Sequence, residues 1–310
     1  MVISAVAVAV ADGGQGPKPP SRLRHDVWPV AVVVVAILVV WYAAAVWLNS
    51  AQVIERFGND GTTWTVRDLA AATWSMQRPV VPAPHQIVAN FYETVFTLPP
   101  TSKRSLVFHA GVTVSATLLG FLFGALLGML LAVAIVHLPV LDRSLLPWVI
   151  ASQTVPILAI APMVIVVLGS LGLEGLVPKA IISMYLCFFP ITIGMVKGLR
   201  SPDPLQLDLM RTYSATRMQL FWKLRLPAST PFLFASLKVA VATSLIGAIV
   251  GELPTGAQAG LGARLLSGSY YGQTIQIWAA LLMASLLGVA LVIAVTLVER
   301  VVVRNVVPSR

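Results

Sequence analysis

Six stretches of about twenty residues run almost without charge along this chain, and they limit what it can fold into more than any motif does. They cover Val27 to about Leu48, His109 to Val136, Leu145 to Leu168, Leu176 to Val196, Phe232 to Gly251 and about Ile275 to Leu297. A helix crossing a bilayer needs about 20 mostly apolar residues. No water satisfies backbone amides inside lipid, so helices are the solution open to such runs. The expected fold class is all-α integral membrane with six transmembrane helices. Composition agrees. The chain is 57% hydrophobic and 11% charged, where a soluble domain is about 25% charged. Trp28, Trp41, Tyr42 and Trp47 lie near the flanks of the first run, as interfacial aromatic belts require.

The formal charge of +9 is better read as basic loops facing anionic lipid than as a nucleic-acid surface. The lone Cys187 lies in an apolar run, and His25, His85, His109 and His137 have no ligand spacing. No metal site and no cofactor is expected. No Gly-x-x-x-x-Gly-Lys-Ser/Thr phosphate loop occurs, so the chain is not expected to hydrolyse ATP by itself.

Lysine and arginine set the orientation. Lys18, Arg22 and Arg24 precede the first run. Lys197, Arg200, Arg211, Arg217, Lys223 and Arg225 join the fourth to the fifth, and Arg300, Arg304 and Arg310 follow the sixth. With six spans these regions share one side, expected to be cytoplasmic together with both termini. The implied organisation is a flexible tail over 1–26 and a first transmembrane helix over 27–48. An extracytoplasmic loop follows over 49–108, with an amphipathic helix over about His85 to Thr97. A five-helix core spans 109–300, with a cytoplasmic loop at 199–228, and a short tail covers 301–310. Gly120, Gly124, Gly128 and Ala132 recur every fourth residue in the second run, the spacing that lets two helix backbones approach closely. Pro147, Pro156 and Pro162 are expected to bend the third helix.

The charged stretch Asp208–Pro227 stands apart from this apolar background. Thr216 followed by Gln219 forms a Thr-x-x-Gln capping box that starts a short helix at Arg217. Leu205, Leu209 and Met210 predict a second short helix over Leu205 to Tyr213, with a turn at Ser214 and Ala215. Pro227 is expected to stop the run before the fifth span. Met218, Leu220, Phe221 and Leu224 give an apolar surface, with Arg211, Arg217 and Lys223 as a basic rim. Such a knob suits insertion into a groove on a soluble partner.

This stretch resembles the EAA loop of type I ABC importer permeases, which reads Glu-Ala-Ala, three residues, Gly, nine residues, Ile-x-Leu-Pro. The same register here gives Asp208-Leu209-Met210, then Ser214, then Leu224-Arg225-Leu226-Pro227. The two alanines and the glycine are replaced. "VVPAPHQIV", "TLLGFLFGALLGMLLA", "QTVPILAIAPMVIVVLG", "FFPITIGMVKGL" and "GELPTGAQAGLGARL" are similar to further segments of the nitrate, taurine, sulfonate, thiamine-pyrimidine and riboflavin branch. The resemblance implies a permease core in the bacterial inner membrane. It implies three partners: an ATP-binding ABC subunit, an extracytoplasmic solute-binding protein and a second permease copy. It also implies that Asp208, Arg211, Ser214, Thr216, Arg217, Gln219, Leu220, Phe221 and Pro227 belong to the element coupled to the ATPase.

Gln153, Thr154 and Glu252 are the polar groups expected to face a transport pathway, although the first two could instead bond neighbouring helices and Glu252 could cap the outer loop. An ion-coupled secondary transporter would need ionisable residues at mid-membrane depth; only Lys238 and Glu252 come close. A membrane enzyme would need a catalytic constellation, and none appears. Amide and hydroxyl groups with Tyr185, Phe188 and Phe189 suit a neutral heteroaromatic solute, riboflavin or a thiamine precursor, better than a sulfonate or nitrate.

Overall fold

The computed structural model describes residues 22–254 and 259–306. Of the tails expected over 1–26 and 301–310, residues 1–21 and 307–310 lie outside these residues. The chain divides into two compact units at Ser75 and Met76.

In the first unit, α1 (Arg22–Asn59) and α2 (Val66–Trp74) are joined by a short turn. The helix continues past the apolar run that was expected to end at Leu48. Lipid limits where charge can sit, whereas helix length follows local propensity, and "SAQVIERFGN" contains nothing that breaks a helix before Gly58. Thr65 starts α2 with a reciprocal capping box to Asp68.

The second unit begins with α3 (Pro84–Tyr92), continued by a π-helical turn over Glu93–Thr97. Next come α4 (Leu106–His137), α5 (Pro139–Ala151) and α6 (Ile157–Ser170). They are followed by α7 (Leu176–Leu199), α8 (Pro204–Thr212) and α9 (Arg217–Leu220). The last three are α10 (Leu226–Gly251), α11 (Leu261–Tyr270) and α12 (Thr274–Val306). Among the described residues five helices are long and apolar enough to cross a membrane. The expected third span is not a straight helix: α5 and α6 are apolar enough only as a pair and meet at 100°, the form of a broken span or a re-entrant loop. Pro156 supplies no amide hydrogen, and both Val155 and Pro156 are extended, so the helix cannot pass through this point.

Pro227 does not stop its helix. A π-helical turn over Phe221–Arg225 joins α9 to α10, giving one continuous span over Arg217–Gly251. The Leu226 amide reaches back five residues to Phe221 O. Pro227 then falls in the first turn of α10, where a missing donor costs little.

The core is α4, α7 and α10, held together by small residues. A Cβ on Gly120 would overlap Ser183, and one on Gly124 would overlap Cys187. A Cβ on Gly247 of α10 would lie 2.7 Å from Ser183 Cα, and Gly194 and Gly198 of α7 face Ser236 and Ser229 just as closely. Two hydroxyls cross the seams: Ser183 Oγ donates to Ser244 O at 2.8 Å, and Ser244 Oγ to Thr117 O at 2.8 Å. Each joins two helices without leaving an unpaired donor in lipid. Lys238 of α10 ion-pairs with Glu299 of α12. The pair neutralises the cation within the bundle, so Lys238 need not snorkel.

Gly120→Leu forces α4 away from α7 and is expected to destabilise the detergent-solubilised protein by about 1–3 kcal/mol or more. Gly111→Ala, on the same helix but facing open space, is expected to be neutral or stabilising by up to about 1 kcal/mol. Thermal unfolding in detergent compares them.

Candidate functional site

The loop between α7 and α10 is built from its two helix ends. Asp203 caps α8, its side chain accepting from Leu205 N at 2.8 Å. At the other end, Ser214 N donates to Arg211 O at 2.8 Å and Ala215 N to Met210 O at 3.0 Å. This is a Schellman closure, which requires its central residue in the left-handed region. Ser214 is there, at φ 51°, the only non-glycine residue with positive φ among those described. Glycine adopts this conformation without the penalty of a Cβ, so the serine standing at the glycine position of the EAA pattern keeps the turn geometry at some strain. Thr216 then starts α9 with the expected capping box. Thr216 N donates to Gln219 Oε1 at 2.8 Å, and Gln219 N to Thr216 Oγ1 at 3.3 Å. Asp208 pairs with Arg211 at 3.0 Å on the exposed face of α8; both side chains are solvated, so the pair contributes little. Arg217 is exposed in the first turn of α9.

The exposed apolar face differs from the one expected. Phe221 turns inward, packing against the cluster of Ala132, Ile135, Met195 and Leu199 and edge-on to His137. Leu220 is half-buried. The reason is the π-helical turn, which adds a residue per turn and rotates the side chains after Leu220. Leu205, Leu209, Tyr213, Met218 and Trp222 are instead outward, each 57–78% exposed. Trp222 Nε1 reaches Met218 Sδ at 3.0 Å, pairing these two on one surface.

At the break between α5 and α6, Gln153 and Thr154 are exposed. Ser152 Oγ and Thr154 Oγ1 fold back onto Val149 O and Ala151 O, and Tyr185 of α7 donates to Ser152 O at 2.6 Å. The irregular backbone is thus anchored to the core through one tyrosine.

At the opposite end of the bundle from α8 and α9, Glu252 is fully buried. Its carboxylate accepts from Thr113 Oγ1 at 2.9 Å and Gly262 N at 2.9 Å, and lies 3.8 Å from Lys179 Nζ. Three first-turn amides of α11 are taken up by side chains of the core. Gly260 N donates to His109 Nδ1, Leu261 N to Thr113 Oγ1 and Gly262 N to Glu252 Oε2. A negative charge at a helix N-terminus is favourable, while burial pushes the Glu252 carboxyl up to about 7. A Cβ on Gly260 (φ 127°) or on Gly262 would overlap Glu252 or Ile249 O. Gly-Leu-Gly is therefore what lets the carboxylate reach the amides. Sequence reasoning singled out Glu252 but missed His109, Thr113 and Lys179. Lys179 carried a readable signal, as a charge inside an apolar run; the other two look like ordinary helix residues until α11 folds over them.

Five long apolar helices, a bent helix pair and a three-helix core define a multi-pass membrane protein. The chain belongs to the family of binding-protein-dependent transport system inner membrane components, which matches residues 120–308. It is 32% identical over 202 residues to a probable ABC transporter permease protein of Haemophilus influenzae, covering 63% of this chain and 80% of the relative. It is 32% identical to the formylaminopyrimidine transport permease of Halalkalibacterium halodurans, over 68% of this chain and 79% of that one. It is 29% identical to the riboflavin transport system permease of Chloroflexus aurantiacus, over 73% and 80%. More distant relatives are named for aliphatic sulfonates and for nitrate. The chain is a permease subunit of an ABC importer, and ATP hydrolysis resides in a separate subunit.

Ser214→Gly relieves the left-handed strain and is expected to stabilise the loop by about 1 kcal/mol, whereas Thr216→Ala loses the cap at a cost of about 1 kcal/mol. Amide hydrogen exchange across 203–226 reads both. Glu252→Ala leaves Lys179 without its counter-charge and is expected to destabilise by about 3–5 kcal/mol. Thermal unfolding of that variant and of Lys179→Met/Glu252→Ala shows whether removing the cation recovers part of the loss.

Proposed function

We propose that residues 203–226 dock the ATPase subunit, and that the importer takes up a neutral heteroaromatic vitamin or pyrimidine handed over by an extracytoplasmic binding protein. The docking reading rests on one observation. The helix α8, capped at both ends, and the capped start of α9 with the turn after it hold Leu205, Leu209, Tyr213, Met218 and Trp222 in the open within a basic loop. An apolar cluster held rigidly away from its own core fits a groove on a partner. The basic residues support a cytoplasmic side for this loop and for both termini. ATP-driven closure of the partner would move α9, and α9 continues through the π-helical turn directly into α10. Movement at the loop therefore reaches the core without a flexible joint.

Two copies of the chain would complete the pathway. The irregular backbone at 152–156 joins the bent pair α5 and α6, and irregular backbone at membrane depth is tolerated only against protein or a water-filled cavity. The exposure of Gln153 and Thr154 there supports a place for them on the pathway. Glu252 acts differently, by holding α11 in place. The solute reading is supported by the relatives named for formylaminopyrimidine and riboflavin.

Met218→Asp/Trp222→Asp puts two charges on the exposed face without touching the inward Phe221. The ATPase is expected to fail to co-purify while the permease still inserts; normal retention of the ATPase would refute docking here. Binding titrations on the partner binding protein decide the solute. Affinity for riboflavin or a pyrimidine is expected, and affinity for taurine or nitrate alone would overturn it.

A further inference from the structure

A cavity of about 920 Å³ opens at the α11 end of the bundle, between α4, α6, α7 and the segment after α10. Its volume lies within the roughly 300–1,000 Å³ of small-molecule sites. Val112, Ile165, Leu176 and Pro254 make apolar walls. Lys179 is the cation of its lining and Glu174 an exposed acid on it.

We propose that this cavity is a binding site of the permease itself, taking a neutral planar heteroaromatic solute between its apolar walls, with a ring nitrogen or carbonyl of the solute accepting from Lys179. Lys179 Nζ donates to Ala259 O at 2.8 Å and stands 3.8 Å from Glu252 Oε1, beyond hydrogen-bond reach. An ammonium has three donors, so at least one is left over from Ala259 and Glu252 for a ligand in the cavity that Lys179 lines. Glu252 and Glu174 set two acidic groups beside this ammonium, so a sulfonate, nitrate or anionic lipid headgroup meets acids as well as the cation here. A neutral acceptor meets a donor and loses little on leaving water, and flat rings bury well against aliphatic walls. The Lys179–Glu252 pair also ties Ala259 and α11 to the cavity wall, because Glu252 holds α11 and Lys179 holds Ala259. The site and the clamp on α11 thus share one lysine. A solute bound there would sit at the end of the bundle that the charge distribution places outside the cell, where the binding protein releases it.

The proposal rests on the heteroaromatic reading of the solute, and the test separates the two. Gly169 lines the cavity near the end of α6, and a Cβ there meets nothing within 4 Å. Gly169→Phe therefore starts from open space at its Cβ, adds a ring at the cavity wall and improves the helix. Ser115→Phe, at an exposed position on the α4 wall, repeats the test from the other side. Gly111→Ala, off the cavity, is the control. The permease–ATPase complex, without binding protein, is titrated with riboflavin by fluorescence quenching. Proteoliposomes of the full importer are assayed for riboflavin and for taurine uptake. The expected result is weak riboflavin binding to the wild-type complex, at least tenfold weaker in both filled variants. Riboflavin uptake falls in the same variants, while the ATPase still co-purifies. Unchanged uptake in both filled variants overturns the cavity as a solute site. Taurine uptake that both variants block overturns the heteroaromatic class and keeps the location. Phospholipid recovered with the wild-type complex and lost from both variants, without riboflavin binding, makes it a lipid site and overturns the proposal.

Discussion

The close approach of α4, α7 and α10 is the constraint on which the other features rest. Hydrophobic burial cannot drive helices together in lipid, because the tails are as apolar as leucine. What holds these three is backbone proximity, permitted by Gly120, Gly124, Gly194, Gly198 and Gly247, with Ser183 and Ser244 hydrogen-bonding across the seams. A rigid three-helix core of this kind transmits movement rather than absorbing it.

Each end of that core carries a different device made from helix termini. At the basic end, a Schellman turn and a capping box satisfy the free amides and carbonyls of α8 and α9 locally. Their side chains stay uncommitted and face outward. At the other end the arrangement is reversed. The free amides of α11 are satisfied by His109, Thr113 and Glu252 of the core, so α11 is fastened down. Local capping makes a surface available to a partner, whereas capping by the core closes a segment over the bundle. The two ends follow from where the donors and acceptors for orphan amides are found.

The π-helical turn at Phe221–Arg225 links the two kinds of chemistry. It admits Pro227 without ending the helix and rotates Phe221 onto the core. A π-turn is rare and often kept at functional places. Here it lies between the exposed helix pair and the span that runs to Glu252.

The sequence by itself determined the all-helical membrane class, the apolar runs, the glycine seam and the capping box at Thr216, because each depends on local pattern: charge density, four-residue spacing or a three-residue reciprocal bond. It also marked Ser214 as the position where the turn would be tested. Only the tertiary structure decided the 100° break after α5, the inward turn of Phe221 and the fastening of α11. Proline spacing announces a bend but not its angle, which depends on what α7 offers the freed carbonyls, here Tyr185. The side on which Phe221 lies depends on a π-turn that no periodicity shows. The ring of His109, Thr113, Lys179 and Glu252 joins residues up to 151 positions apart from their partners. Such contacts exist only once three helices have packed closely enough to bring their side chains to one helix end.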